Sequence, residues 1–487
     1  MQSTSGGGGQ VSEKKKLTDS IIFKAGISIL AGVIIYLLPV PQVLEHDPRA
    51  WRLLAIFVGT IVALIANPAP MGTIAIIAIT LTVVSQTLSM GVALSGFSNA
   101  VIWLIVCAFF ISRGFIKTGL GERIAYMFMA KLGKKTLGLA YSLIFADMVM
   151  APTMPSNTAR AGGVIFPIVR SLANAFNSKT EDGTQRKVGS YLSKTLFQAD
   201  NVLCAMFMTA MAANPLAVEI AGSLGVEITW VSWAIAALVP GLVCLLIIPV
   251  ALYKIYPPGI KETPQAAEIA KKRLDEIGPV TKQEKLMIFV FFLILLLWIF
   301  GPDLFGIGAT ATAFIGLSTM LITNVLTFED VKSEKGAWDT LVWFAALVMM
   351  ATQLNTLGVI AWFSDTVAQA VYGVNWVAAF ILIAVAYFYS HYFFASATAH
   401  VSAMYGGLLA VAIAVGTPPM LAALVLAYFS SLYMGLTHYA TGSAPVIYGP
   451  GYVTMGEWWG FGFLFSVINI VVWLVVGGLW WRLLGLW

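Results

Sequence analysis

Apolar residues in this chain come in long blocks separated by short polar punctuation. Ile21 to Val40, Leu286 to Phe300 and Phe463 to Leu484 approach or reach the roughly 20 residues that cross a bilayer as helix. No block has the strand alternation of an outer-membrane barrel. The pattern predicts spans near 21–40, 51–67, 71–90 and 100–117, then an amphipathic segment, Gly121 to Leu132, lying along the interface. Further spans are predicted near 195–222, 230–256, 284–301, 308–326 and 339–357, with a long one running to Gly449. The last ends among Trp480, Trp481 and Trp487, an interfacial anchor.

Two blocks are interrupted by the same polar word. Ser156-Asn157-Thr158-Ala159-Arg160 and Ser396-Ala397-Thr398-Ala399-His400 both read Ser-x-Thr-Ala followed by a basic residue, 240 positions apart (396 − 156). Trp103 and Trp343 repeat the same offset (343 − 103 = 240). If both outer ends of a broken block lie on one side, each is a re-entrant hairpin with its word at the tip, near 137–175 and 375–416. Non-helical backbone at membrane depth is tolerated only where it lines a cavity or is buried in protein, so each word marks a site. Four spans precede the first hairpin, five separate the two, and two follow. Five is odd, so the tips approach from opposite faces, which is an inverted repeat. The expected architecture is an all-α polytopic membrane protein of about eleven transmembrane helices plus two re-entrant hairpins. Its expected parts are a disordered cytoplasmic tail (1–20), a first half (21–256), a cytoplasmic connector (257–283) and a second half (284–487).

Composition agrees with the periodicity. Apolar residues make up 59% of the 487 and charged residues 10%, against about 25% charged in soluble domains. Basic residues crowd Lys14 to Lys16, Arg113 to Lys135, Arg170 to Lys194 and Lys254 to Lys285, and by the positive-inside bias these share the cytoplasmic side. A net charge of +5 distributed this way needs no nucleic-acid partner. Cys107, Cys204 and Cys244 lie in apolar segments without ligand-like spacing, so neither a disulfide framework nor a metal site is expected. No metal cluster, nucleophile elbow or phosphate loop points to an enzyme or a cofactor.

The words suit a small oxyanion. Helix N-termini at the tips present unpaired N–H groups and partial positive charge. Ser156, Thr158, Ser396 and Thr398 add hydroxyl donors, and Asn157 an amide. Arg160 supplies a planar cationic fork, and His400 a second cation when protonated. An alternative pairs Arg160 with Asp147 in the first arm of the same hairpin. His400 has its own alternative as a packed, hydrogen-bonded histidine, and His391 and His438 are read as structural.

These residues carry a resemblance. Ser156-Asn157-Thr158 is similar to the signature of the divalent-anion/sodium symporter family, Asn214-Pro215 resembles its first unwound helix, and Tyr439-Ala440-Thr441-Gly442 with Ile447-Tyr448-Gly449 resembles its second. The resemblance implies a homodimer in the cell membrane, N-terminus cytoplasmic. In it a scaffold holds a transport domain that moves as an elevator with a di- or tricarboxylate. The substrate site it implies gathers Ser156, Asn157, Thr158, Arg160, Asn214, Ser396, Ala397, Thr398, His400, Thr441 and Gly442.

Departures from the family pattern are informative. Sodium-coupled members carry Ser-Asn-Thr twice; here Ala397 replaces the second Asn, and Pro152, four before Ser156, offers no hydroxyl. Arg160 and His400 stand close to where sodium would be expected. The chain therefore resembles the exchanger branch, with bacterial citrate/succinate and tartrate/succinate antiporters and plastid 2-oxoglutarate/malate translocators. The expected behaviour is sodium-independent exchange of dicarboxylates, with an empty domain slowed by one or two uncompensated positive charges. A sodium-coupled carboxylate symporter is the near alternative and an anion channel a more distant one.

Overall fold

A computed structural model describes residues 21–487 except 371, 372 and 374, so the predicted tail over 1–20 lies outside the described residues. Regular structure in the described residues is helical, as the apolar blocks require. Among the described residues, eight helices are long and apolar enough to cross a membrane: Pro48–Ala66, Ala100–Thr118, Trp230–Ile255, Lys282–Phe305, Lys335–Thr356, Trp376–Phe393, Ala397–Ala414 and Met455–Leu483. Shorter apolar helices include Ile21–Leu37, Met71–Val84, Thr136–Met150 and Ala309–Ile322. Ile22, Ile322, Leu382 and Leu483 are among many large apolar side chains left exposed. An outer surface of this kind is stable against lipid and not against water. The protein is a multi-pass membrane protein.

Local chemistry sets many helix ends. Thr229, Thr281, Thr327 and Thr454 open helices with reciprocal capping boxes to Ser232, Glu284, Asp330 and Glu457. The amphipathic segment forms the helix Leu120–Leu132, turned out of its predecessor by Gly119 at φ +73°. Its Arg123 is buried against Glu284 and donates to the Gly278 carbonyl at 2.9 Å. The stretch predicted as a connector, 257–283, contains the helix Pro264–Ile277, packed on Leu120–Leu132.

Both halves then follow one order. A 15-residue helix, Thr136–Met150 or Trp376–Ser390, meets irregular backbone; after the break comes a π-helical turn, Thr158–Ile165 or Val401–Tyr405, and a further helix. Next comes a helix that itself breaks: Gly189–Met206 gives way before Ala213–Ser223, and Pro419–Leu432 before Ser443–Tyr448. Helix Gly189–Met206 is at the centre of the molecule, and all 18 of its residues are buried. Polar side chains on it therefore face protein, where a group left without a partner is costly.

Candidate functional site

Pro152 and Pro155 interrupt the first broken block, since neither supplies the N–H a continuing helix needs. The chain re-enters helix at the Ser word, and the two words fold alike. Ser156 Oγ accepts the Ala159 N–H at 3.2 Å and Ser396 Oγ accepts the Ala399 N–H at 3.3 Å, each serving as an N-cap. Both helices then widen into π turns, which recur at functional sites. Ser156, Thr158, Ser396 and Thr398 are half-buried, so these hydroxyls remain reachable.

Asn157 is buried and aims its amide across the molecule. Its Nδ2 donates to Thr441 Oγ1 at 2.9 Å and to Ser443 Oγ at 3.2 Å, tying the first word to the second unwound segment. Gly442 lies against Thr158, where a Cβ would stand 2.4 Å from Thr158 Oγ1, so only a residue without a side chain permits this approach. Ala397 is buried and its carbonyl accepts from the Tyr433 hydroxyl at 3.2 Å.

Arg160 is fully buried, and each direction of its guanidinium is occupied. Nε donates to Asp147 Oδ1, and Nη2 to Asp200 Oδ1 at 2.6 Å and to Cys204 Sγ at 3.3 Å. Nη1 donates to the carbonyls of Met154 at 2.8 Å and Ala210 at 3.0 Å. These five contacts match the five N–H donors of the group. The Asp147 partner is the alternative the sequence had kept open, and Asp200 joins it. The uncompensated positive charge expected at the first word is corrected here: two carboxylates flank one guanidinium, because a bare cation in this interior would be far costlier than a paired one. What Arg160 does physically is join two breaks, since Met154 lies in the non-helical stretch before the first word and Ala210 in the first unwound segment.

His400 is likewise fully buried and has no open side. Its Nε2 lies 2.9 Å from Ser390 Oγ and its Nδ1 3.0 Å from His391 Nδ1, with Phe394, Tyr387 and Tyr433 rings around it. His391, read from sequence as structural, is the imidazole that reaches the second unwound segment: its Nε2 meets the Ala440 carbonyl at 3.0 Å. Thr209-Ala210 through Asn214-Pro215 and Tyr439-Ala440 through Ala444-Pro445 align at an offset of 230 (440 − 210). Each half thus presents an alanine carbonyl, at corresponding positions of its unwound helix, to a basic side chain from its own broken segment.

Asn214 works on the backbone. Its Nδ2 donates to the carbonyls of Cys204 at 2.7 Å and Phe207 at 3.1 Å, and its Oδ1 accepts from Ser431 at 3.0 Å. These are carbonyls released where the helix unwinds, and Asn214, fully buried, satisfies them. The structure brings Asn157, Thr158, Thr441 and Gly442 together at one joint. Ala397 and His400 reach the same joint through Tyr433 and His391, while Ser396 caps its own helix. Asp200, Ala210 and Ser443 were not singled out from sequence. Asp200 had a readable signal, as the one acid in an otherwise acid-free membrane-type helix.

The family described as sodium:sulfate symporter transmembrane region matches residues 20–487. YflS of Bacillus subtilis (strain 168) is 58% identical over 462 residues, covering 95% of this chain and 96% of that protein. Dicarboxylate transporter 1, chloroplastic, of Spinacia oleracea is 50% identical over 463 residues, covering 94% and 81%. The L-tartrate/succinate antiporter of Escherichia coli (strain K12) is 36% identical over 479 residues, covering 94% and 97%. Among solved structures, the crystal structure of the Alcanivorax borkumensis YdaH transporter superposes with a TM-score of 0.51 at 12% identity, covering 96% and 99% of the two chains. That likeness concerns the fold.

Proposed function

Because the chain belongs to the sodium:sulfate symporter family, which is the divalent-anion/sodium symporter family of transporters, we propose that it exchanges one dicarboxylate for another across a bacterial cell membrane without sodium. Succinate, malate and 2-oxoglutarate are the size and charge class intended. The observation that carries the reading is the position of Arg160, whose Nη1 bridges the Met154 and Ala210 carbonyls. Two carbonyls converging from two non-helical breaks make a seat for a cation, and here a covalently tethered one fills it. Relatives named for dicarboxylate transport and for tartrate/succinate antiport support the substrate class and the exchange mode.

The cargo lies, in this reading, against the half-buried hydroxyls of Ser156, Thr158, Ser396 and Thr398 and the exposed backbone at Gly442. Asn157 holds Thr441 in place, Ala397 keeps the second tip narrow, and Arg160, His400 and Asn214 act as positioning residues behind the surface that meets the anion. Obligatory exchange follows from hydration. An empty site has to strip water from donors with no anion to replace it, at about 1–3 kcal/mol for each buried group left unsatisfied. A loaded site has those donors satisfied by carboxylate oxygens, so crossing with cargo is the faster path.

The same reading gives each subunit of a homodimer eleven crossings and two opposed hairpins, near 137–175 and 375–416. The halves 21–256 and 284–487 are joined by the connector 257–283, with the N-terminus cytoplasmic and a transport domain rising past a scaffold as an elevator. In proteoliposomes, labelled succinate should enter only when an unlabelled dicarboxylate is trapped inside, at the same rate in sodium and in choline. Robust uptake into empty vesicles along a sodium gradient would overturn the proposal in favour of symport.

A further inference from the structure

We infer that Asp147 and Asp200 share a single proton, making the Arg160 triad a neutral proton-binding site at the first break. The inference goes beyond the exchange reading and stands on the triad alone. All three side chains are fully buried. One guanidinium faces two carboxyl groups, through Asp147 Oδ1 and Asp200 Oδ1. The Oδ2 atom of each carboxyl is also buried and has no hydrogen-bond partner. The two carboxyl groups meet the same guanidinium, which donates to Asp147 through Nε and to Asp200 through Nη2, so they are held as neighbours around one planar group.

Charge counting then decides the matter. With both acids ionised, the cluster holds one unbalanced negative charge and two orphaned anionic oxygens at the centre of a membrane protein. One proton taken from water removes the net charge and turns one orphan into a donor for the other, as in paired carboxyl groups that cannot both ionise. Other groups around the cluster do not supply that proton. Cys204 Sγ lies 3.3 Å from Arg160 Nη2 and 4.0 Å from Asp200 Oδ1, and the remaining contacts are the Met154 and Ala210 carbonyls. Among the described residues no other ionisable side chain hydrogen-bonds to the three. A functional consequence follows from where Arg160 reaches. Losing the proton sets two like charges against each other on the fork that joins the first tip to the first unwound segment, so alkaline pH should loosen that joint and slow transport.

Infrared difference spectroscopy of the purified full-length protein in lipid, titrated from neutral to alkaline pH, tests this without relying on transport. The wild type should show one protonated carboxylic acid at neutral pH, shifted in deuterium oxide and lost on alkalinisation. Asp147→Asn and Asp200→Asn should each abolish the band, because a one-to-one ion pair with Arg160 needs no proton. The same substitutions should remove the alkaline limb of the exchange–pH profile. No protonated acid in the wild type, a band that survives in both variants, or carboxylate bands that respond to sodium and not to pH would each overturn the inference. The wild-type titration decides even if a variant fails to fold, and sodium-driven uptake would refute the exchange reading while leaving this one untouched.

Discussion

Replacing Arg160 with methionine separates a clamp from a cargo ligand. Methionine fills similar length without charge, so the variant removes five hydrogen bonds and strands Asp147 and Asp200 in a fully buried site. Removing one member of a buried ion cluster costs about 3–5 kcal/mol, against a typical total stability of roughly 5–15 kcal/mol. At about 2 °C for each kcal/mol in a large chain, melting temperature should fall by roughly 5–10 °C. Intrinsic tryptophan fluorescence on heating in detergent reads this directly, since the chain has 15 tryptophans. Arg160→Met combined with Asp147→Asn and Asp200→Asn should recover most of the loss, because the uncompensated charge is then gone. A single variant that melts like the wild type yet has no exchange would refute the clamp and return Arg160 to direct contact with cargo.

Asn157→Ala removes the amide bridge to Thr441 and Ser443, and a loss of about 1–3 kcal/mol in site organisation should raise the half-saturating dicarboxylate concentration about tenfold in counterflow; an unchanged value would place the anion elsewhere. Asn214→Leu leaves the carbonyls of Cys204 and Phe207 without donors and should destabilise by roughly 2–3 kcal/mol in the same melting assay, whereas no change would mean that water takes over both groups. On the surface, hydrogen bonds from Lys117 and then from the Thr327 N–H pull the Asp330 carboxyl down to about 2. Its folded value lies below the ordinary one, so its stabilisation is complete well above the ordinary value of 3.8 and is lost progressively as pH falls from there through about 2. Asp330→Asn should therefore lower the melting temperature by an amount equivalent to about 1 kcal/mol, and the gap should stay constant from pH 7 to pH 5; a gap that closed by pH 5 would contradict the pairing.

Much of the architecture was readable because membrane-type sequence is redundant. The helices Pro48–Ala66, Ala100–Thr118 and Trp230–Ile255 fall within a few residues of the predicted spans, since apolar length and punctuation both report them. The long block over 195–222 was expected to break at Asn214-Pro215, and it breaks just before, over Phe207 to Ala212. Proline lacks an N–H and its ring collides with the carbonyl four residues earlier, so the disruption falls upstream of the residue that causes it. The partners of His391 and Asp200 were not legible for a different reason. Each acts through a partner far along the chain, His391 on Ala440 and Asp200 on Arg160, and single-position reading carries no sign of such pairings.

From sequence alone came the membrane class, the broken helices, the pair of Ser-x-Thr-Ala words and the hydroxyl, amide and basic groups that their residues carry. These are local properties, set by hydropathy, by proline and by the donors each residue type owns. Tertiary structure decided which donors stay reachable and which are consumed. Arg160 and His400 look alike on paper as basic groups closing the same word, yet one is enclosed by two carboxyl groups and the other by a second imidazole and aromatic rings. Charge in a low-dielectric interior takes its meaning from neighbours within a few ångströms, and those neighbours are assembled only when helices distant in the chain pack together.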